Sequence, residues 1–431
     1  MSTATVFLPP DKVTEFIDES QKAGSQYRYK NNGYELGISS YITFYIYHDF
    51  DDHLSISKKM IQLYEEFQEL TGYPFQHVWK NDTQVWLKSG DKRLPDDLYA
   101  VAVEMDKKER MFWIRATDKD SAAASPTWSF SSATSDVPDI EYTTLKMLFS
   151  YQWYQQHKQQ WHKFVEHCFE LLQPEQCYSG FEVGNGNLTV MNSYEAGTME
   201  RICADFYYGM DIDHPSTMAY QNYDNEKGYV NKAKLGAGIR TPTWCFMLSP
   251  YWLNKLNKSE EEVRDQLNHP DISITAFPRP KSKHNPNGVN ALWIQLGELD
   301  LYPVGKGKPE LLVQASRFIK PIRCDELALS SLDAWDDDPN PRFDYHSAKV
   351  WMQRFDDDID WLRHRSRLSP LPSGVYEAKP GETVPQAGWW YAPELGEKTE
   401  PRYFEKGQQL PFDQQNEEGD EIIWYRRLDD E

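Results

Sequence analysis

Long apolar runs are missing from this chain of 431 residues. Its best candidates, such as the stretch from Tyr41 to Tyr47, fall far short of the roughly 20 residues that a bilayer-spanning helix needs. A membrane-spanning helix is therefore not expected. The first residues also lack a basic segment followed by an apolar one and a small-residue cleavage site, which predicts a cytoplasmic protein. Cysteine is scarce, with Cys168, Cys177, Cys203, Cys245 and Cys324 forming an odd set without a C-x-x-C pair. That excludes a disulfide framework and predicts buried thiols in a reducing compartment. Positive charge is in deficit too. Lys and Arg number 46 against 67 Asp and Glu, for a formal charge of −21, so phosphate backbones are repelled and direct nucleic-acid binding is not expected.

Signatures of catalysis are also lacking. His157, His162 and His167 share one helical stretch, but spacings of five residues turn about 140° each and scatter them around it, unlike the i, i+4 pair of a zinc helix. The segment Gly184-Asn185-Gly186-Asn187 has no third glycine and no Lys/Ser partner, so it predicts a hairpin turn and no dinucleotide loop. Asp356, Asp357, Asp358 and Asp360 match a cation loop in number only and predict a solvated helix face. Asp211-Ile212-Asp213-His214-Pro215 could set carboxylates and an imidazole around a metal, but an acidic turn before proline accounts for the same residues. No cofactor and no metal is expected.

What the chain does contain is mixed periodicity. Strands are predicted at 40–47, 85–87, 99–105, 111–116, 180–183, 199–208, 243–248, 272–277 and 291–296. Helices are predicted at 57–70, where Met60, Leu63, Tyr64, Phe67 and Leu70 recur at i+3 and i+4, and at 143–172, stopped by Pro174. A further helical run is expected through Val350, Trp351, Phe355, Ile359, Trp361 and Leu362. Without regular βαβ alternation this is an α+β chain, with helices packed on mixed or antiparallel sheet, and a pseudo-duplicated strand-and-helix core is one arrangement left open. The expected division is 1–368, with halves 1–125 and 126–368, then a linker at 369–374 and a small all-β module at 374–431.

Residues 235 to 256, LGAGIRTPTWCFMLSPYWLNKL, are the most patterned stretch. Gly236 and Gly238 supply turn positions, and Trp244, Phe246 and Leu248 alternate as in a half-buried strand. Ser249 then caps a helix with Pro250 in its first position, and Ser259 with Glu262 forms a second capping box. Together with the preceding FYYGMDIDHP run at 206–215 and a later Arg317-Phe318-x-x-Pro321-Ile322, this resembles the bacterial type VI secretion immunity family paired with VRR-Nuc nuclease effectors, over roughly residues 36 to 360. The resemblance implies a binding protein that neutralises a co-produced antibacterial toxin, with no catalytic residues to carry over. The segment Pro385-Gln386-Ala387-Gly388-Trp389-Trp390 with Gly407-x-x-Leu410-Pro411 resembles a small β module found beside secretion-system toxins and immunity proteins. Val384 stands where that motif usually has Cys, so no redox or metal role carries over.

Charge placement agrees with a basic protein partner. Residues 325–431 hold 25 Asp and Glu against 12 Lys and Arg, and a nuclease carries positive charge to grip DNA. The expected contacts are Asp333, Asp336, Asp337, Asp338, Asp356 and Asp357, with Trp335 as an aromatic anchor. Two rivals stand beside this expectation: a metal-dependent hydrolase using Asp211, Asp213 and His214, and a secretion-system adaptor docking through the C-terminal module.

Overall fold

A computed structural model describes residues 14–16, 18, 19, 22, 25, 28–31, 34–47, 53–81, 83–120, 124–134, 142–185, 193–215, 218, 222–224, 229–231, 238–281, 285–325, 341–366, 375–392, 401–411 and 422–427. In chain order the strands are β1 (Arg28–Asn31), β2 (Tyr34–Tyr47), β3 (His77–Lys80), β4 (Val85–Lys88), β5 (Phe112–Thr117), β6 (Ser129–Thr134), β7 (Tyr142–Phe149), β8 (Gln176–Asn185), the short pair β9 (Asn222–Asp224) and β10 (Tyr229–Asn231), then β11 (Cys245–Leu248), β12 (Ile272–Phe277) and β13 (Ala291–Leu296). All but β9 and β10 form one 11-stranded sheet in the order β12-β13-β11-β8-β2-β7-β6-β5-β3-β4, with β1 paired to β2. Every ladder in it is antiparallel. With the helices below, this is the α+β class read from the sequence. The expected division at 125 falls between β5 and β6, which are neighbours in the sheet.

The long central strand β2 sets the two faces. Side chains alternate across a strand, and Ile38, Ile42, Phe44 and Ile46 are all buried. Phe44 meets Phe169 edge-on at 5.3 Å, which places α1 (His53–Thr71) and α3 (Tyr151–Leu172) on that apolar side. There Phe67 and Tyr64 of α1 contact Phe130 of β6. The opposite face carries Tyr41, Thr43 and Tyr45, and it is polar. Around β2 and β8 it is covered by the chain from 207 to 215, by residues 239–241 and by the C-terminal helical segments. These are α7 (Glu310–Ile319), α8 (Tyr345–Met352) and the turn Trp361–His364, whose Trp361 indole donates to the Ala204 carbonyl at 2.8 Å.

Three expected elements differ. Residues 99–105 are helical, in α2 (Leu98–Lys107): Asp97 accepts the Ala100 amide at 3.1 Å as N-cap, and Ala102 and Met105 form its buried side. Residues 199–206 belong to helix α4 (Ser193–Phe206), not a strand. Met199, Ile202, Cys203 and Phe206 are buried at helical spacing. The helix expected from 143 begins only at Tyr151, after β7 and the N-cap Ser150. The run Asp356 to Asp360 likewise lies beyond the end of α8, in turns. Gly184 and Asn185 are strand residues of β8 opposite Gly37 and Leu36, while 186 and 187 lie outside the described residues, as does the linker at 369–374.

Local signals at 249–266 mark both helix starts, although the Ser249 hydroxyl makes no capping bond. Ser249 and Pro250 open α5 (Pro250–Leu256), and both halves of the Ser259/Glu262 capping box are formed at α6 (Glu260–Gln266). Beyond the main body, β14 (Val375–Ala378) pairs with β17 (Trp424–Arg427), and β15 (Gly388–Trp390) with β16 (Arg402–Phe404). These strands surround a small core of Ala378, Val384, Trp390, Phe404, Leu410 and Trp424. Val384 is fully buried there, so its position serves packing.

Candidate functional site

The patterned segments 206–215 and 235–240 meet on the polar face of the sheet. After α4 ends at Phe206, the chain crosses that face, and Asp211 donates its amide to the Phe181 carbonyl at 2.7 Å. Asp211 and Asp213 then point at β2. Tyr41 donates its hydroxyl to Asp211, while Thr43, at 2.5 Å, and Tyr45 donate theirs to Asp213. Arg240 completes the cluster: Nη1 lies 2.8 Å from Asp213 and Nη2 lies 3.1 Å from Asp211. Its guanidinium also stacks 4.2 Å from the centre of the Tyr178 ring. From β7, Lys146 reaches Glu182 of β8 at 2.5 Å and Asp213 at 3.3 Å.

All of these groups are buried. Two cations face three carboxylates, and Glu182 is the surplus acid. Burial pushes its carboxyl up to about 8, against the pull of Lys146. Burial acts the same way on Asp213, but Lys146, Arg240 and the Thr43 and Tyr45 hydroxyls outweigh it and hold that carboxyl down at about 2. Beside them His214 sits 2.6 Å from Glu200. Burial disfavours its charge, yet the Glu200 carboxylate prevails and raises its pKa.

Chemically this is a closed lattice. Both carboxylates of the rival metal-site reading are engaged by internal donors, and His214 is turned toward Glu200 instead of joining them. Among the described residues no group of three or more His, Cys, Asp or Glu could hold a metal. A buried network of ion pairs of this kind fixes the register of the segments it joins, with Arg240 Nε left without an acceptor.

The Gly-Ile-Arg turn has its own reason. Ile239 pairs in parallel with Arg323, exchanging bonds of 2.8 Å from its amide to Ile322 and 2.9 Å from the Cys324 amide to its carbonyl. A Cβ on Gly238 would sit 2.6 Å from both the Cys324 nitrogen and the Ile322 oxygen. The two separated motif segments, around Gly238 and Pro321-Ile322, are therefore one structural unit.

The expected partner contacts fall in two groups. Asp333, Trp335, Asp336, Asp337 and Asp338 lie outside the described residues. Asp356 is held inside the molecule by Arg323 through two bonds of 2.7 and 2.9 Å and by Lys320 at 2.8 Å. Burial disfavours its charge, but these two cations lower its pKa. Asp357, next to it, is 78% exposed and touches Arg317 at 2.9 Å. The structure thus separates two neighbours that the sequence groups together. Missed by sequence reasoning were Lys146, Glu182 and Arg240, although a lone charge in strands as apolar as YTTLKMLF or the Phe-Glu-Val of β8 is a signal for a buried pair.

These features define an α+β protein whose most distinctive charged motif is architectural, with no helix among the described residues long and apolar enough to cross a membrane. The chain belongs to the family described as type VI immunity for VRR-NUC (TsiV), whose profile matches residues 59–355. Among solved structures it is similar to the Pseudomonas aeruginosa T6SS protein PA0821, with a TM-score of 0.57 at 15% identity over 80% of this chain and 92% of that one. At that identity the likeness is one of fold. A comparison with curated protein sequences finds no match.

Proposed function

We propose that this protein is a cytoplasmic inhibitor of a type VI VRR-Nuc effector, and that it acts by binding the nuclease and occluding its active site and DNA channel, without catalysis of its own. The observation that carries this reading is the family match, which runs from within α1 to Phe355 and so takes in every strand of the sheet after β2, with its helical cover. Internal pairing of Asp211, Asp213 and His214 supports the non-catalytic part, because it uses up the donors that a hydrolase would need free.

The acidic C-terminal third supplies attraction to a basic nuclease. Within it Asp356 holds the turn that presents Asp357, so of the two Asp357 is the contact, together with Asp333, Trp335, Asp336, Asp337 and Asp338. The small cluster of Ala378, Val384, Trp390, Ala392, Phe404, Leu410, Ile422 and Trp424 supports reading residues 374–431 as a module of their own. A complex that protects a cell must be long-lived, which calls for nanomolar affinity, about −12 kcal/mol.

Co-production with a VRR-Nuc effector from the same source tests the reading. Cytoplasmic production is expected to restore growth, and the purified protein to inhibit DNA cleavage at about one copy per nuclease. Continued killing despite folded protein, or rescue only after export to the periplasm, would refute it.

A further inference from the structure

The polar face of the sheet has a second region, at the β5-β3-β4 end, where among the described residues no helix lies over it. Trp79 and Trp86 are direct partners in the β3–β4 ladder, and their rings meet at 5.6 Å. Trp113 of β5 joins them, 6.0 Å from Trp79. The Arg115 guanidinium lies over Trp113 at 4.3 Å and Trp79 at 5.5 Å. These residues stand on the opposite side from Phe112, Ile114 and Ala116, which face α1 and α2 and are buried, whereas the three tryptophans and Arg115 are half-buried.

Two observations mark this as an unfinished surface. Arg115 has no carboxylate partner among the described residues, and its Nε and the indole nitrogens of Trp79 and Trp113 are buried without an acceptor. Burial alone pulls its pKa down to about 10, with no anion to hold it up. Polar groups left this way are rare in native proteins and ask for an explanation. The second observation is charge. Strands β3, β4, β5 and β6, with sequences HVWK, VWLK, FWIRAT and SFSSAT, contain Lys80, Lys88 and Arg115 but not one Asp or Glu, in a chain whose net charge is −21. Among the described strand residues, Arg115 and Lys88 share the face of Trp79, Trp86 and Trp113, and no acid does.

We infer that the Trp79/Trp86/Trp113/Arg115 face is a docking surface for the effector, which seats an Asp or Glu side chain against the Arg115 guanidinium between the indoles. This rests on the proposed function and adds to it a contact of opposite sign to the acidic C-terminal third. A planar guanidinium already stacked on indoles loses little freedom when it takes a carboxylate through two parallel bonds. Trp and Arg are also the residues that dominate interface energetics when desolvated at a centre. A nucleic acid would meet the same aromatics, but the protein's net charge repels phosphate.

Binding of the catalytically inactivated VRR-Nuc effector that this chain protects against, measured by calorimetry on full-length protein, tests the inference. Arg115→Met keeps the aliphatic stem over the indoles and is expected to weaken binding about 30-fold, and Arg115→Glu at least about 100-fold, with thermal midpoints no lower than wild type for Arg115→Met. Trp86→Ser, on the edge strand, is a second variant and should cost about 10-fold. Wild-type binding that neither Arg115→Met nor Trp86→Ser weakens would overturn the inference and leave the proposed function standing. No binding by the wild type would refute the proposed function itself. Binding of a single-stranded oligonucleotide, or formation of a dimer, that Arg115→Glu abolishes would also overturn it, by assigning the face to a different occupant.

Discussion

Arg240 and Asp213 are bonded across the polar face of the sheet, Nη1 to Oδ1 at 2.8 Å, with both side chains almost wholly buried. The pair joins the chain that crosses after α4 to the Gly-Ile-Arg turn. Because Asp213 is also held by Lys146, Thr43 and Tyr45, the bond ties both motif segments to the central strands. Replacing Arg240 by Met is expected to destabilise the fold by about 3–5 kcal/mol, since Asp211 and Asp213 would stay buried with their main counter-charge gone. Urea denaturation measures it. A cost below about 1 kcal/mol would show that the network is not a structural lock.

The same cluster gives stability a pH dependence whose sign follows from its members. Glu182 has a folded value of about 8 against 4.5 in the unfolded chain. Its contribution is therefore complete below the lower value and fades as pH rises through the upper one. His214, raised by Glu200, acts in the same direction, contributing below 6.5 and losing that contribution as pH rises through its folded value. Asp213, held at about 2, does the opposite and contributes above 3.8, with loss as pH falls through about 2. Stability should decline from about pH 5 to pH 8, and Glu182→Gln should flatten that decline while leaving the acid limb in place. Denaturation midpoints across this range, found to have the same slope in both proteins, would count against the assignment of Glu182 as the surplus acid.

Gly238→Ala is a sharper structural test. The added methyl would meet backbone atoms of Cys324 and Ile322 at 2.6 Å, which cannot swing away as a side chain would, so a cost of about 2–3 kcal/mol is expected. Gly72→Ala makes the comparison: its φ is +76° but nothing lies within 4 Å of the new atom, so only backbone strain of about 1 kcal/mol applies. Equal thermal shifts for the two would remove the close approach as the reason for that glycine.

How far the sequence was legible depends on the range of the interaction. The Ser259/Glu262 capping box is set by neighbours three residues apart and is formed as the sequence implies, whereas Ser249 and Pro250 mark the start of α5 without a capping bond from the Ser249 hydroxyl. The α+β class follows from mixed periodicity. Helices α2 and α4 read as strands in the sequence because Ala-Val-Ala-Val and a run ending in Phe-Tyr-Tyr look extended, although Met199, Ile202, Cys203 and Phe206 carry the helical spacing. The ion network was beyond local reading. Lys146 meets Glu182 only because β7 and β8 both flank β2, and that strand order is written in no single segment. Asp356 and Asp357 are equivalent as adjacent acids in the sequence, and the positions of Arg323 and Lys320 distinguish them.

That distinction allows the use of acidity to be measured. Asp357→Asn, at an exposed site, should leave stability unchanged within about 0.5 kcal/mol, while Asp356→Ala should cost about 3–5 kcal/mol because the Arg323 guanidinium is left buried with less charge against it. If the C-terminal third steers a basic nuclease, raising salt from about 0.05 to 0.5 M shortens the screening length from above about 10 Å to about 4 Å. Association should then slow much more than dissociation speeds up. Neutralising Asp336, Asp337 and Asp338 together with Asp357 to Asn should reproduce that slowing at low salt, with the off-rate nearly unchanged for contacts at a rim. The Arg115 face gives the opposite signature, because a carboxylate desolvated against a guanidinium is felt in the off-rate. Stopped-flow association and dissociation on the quadruple variant and on Arg115→Met separate the two surfaces. An on-rate untouched by the four neutralisations would mean that these acids serve solubility alone, and the affinity would then have to come from the aromatic face.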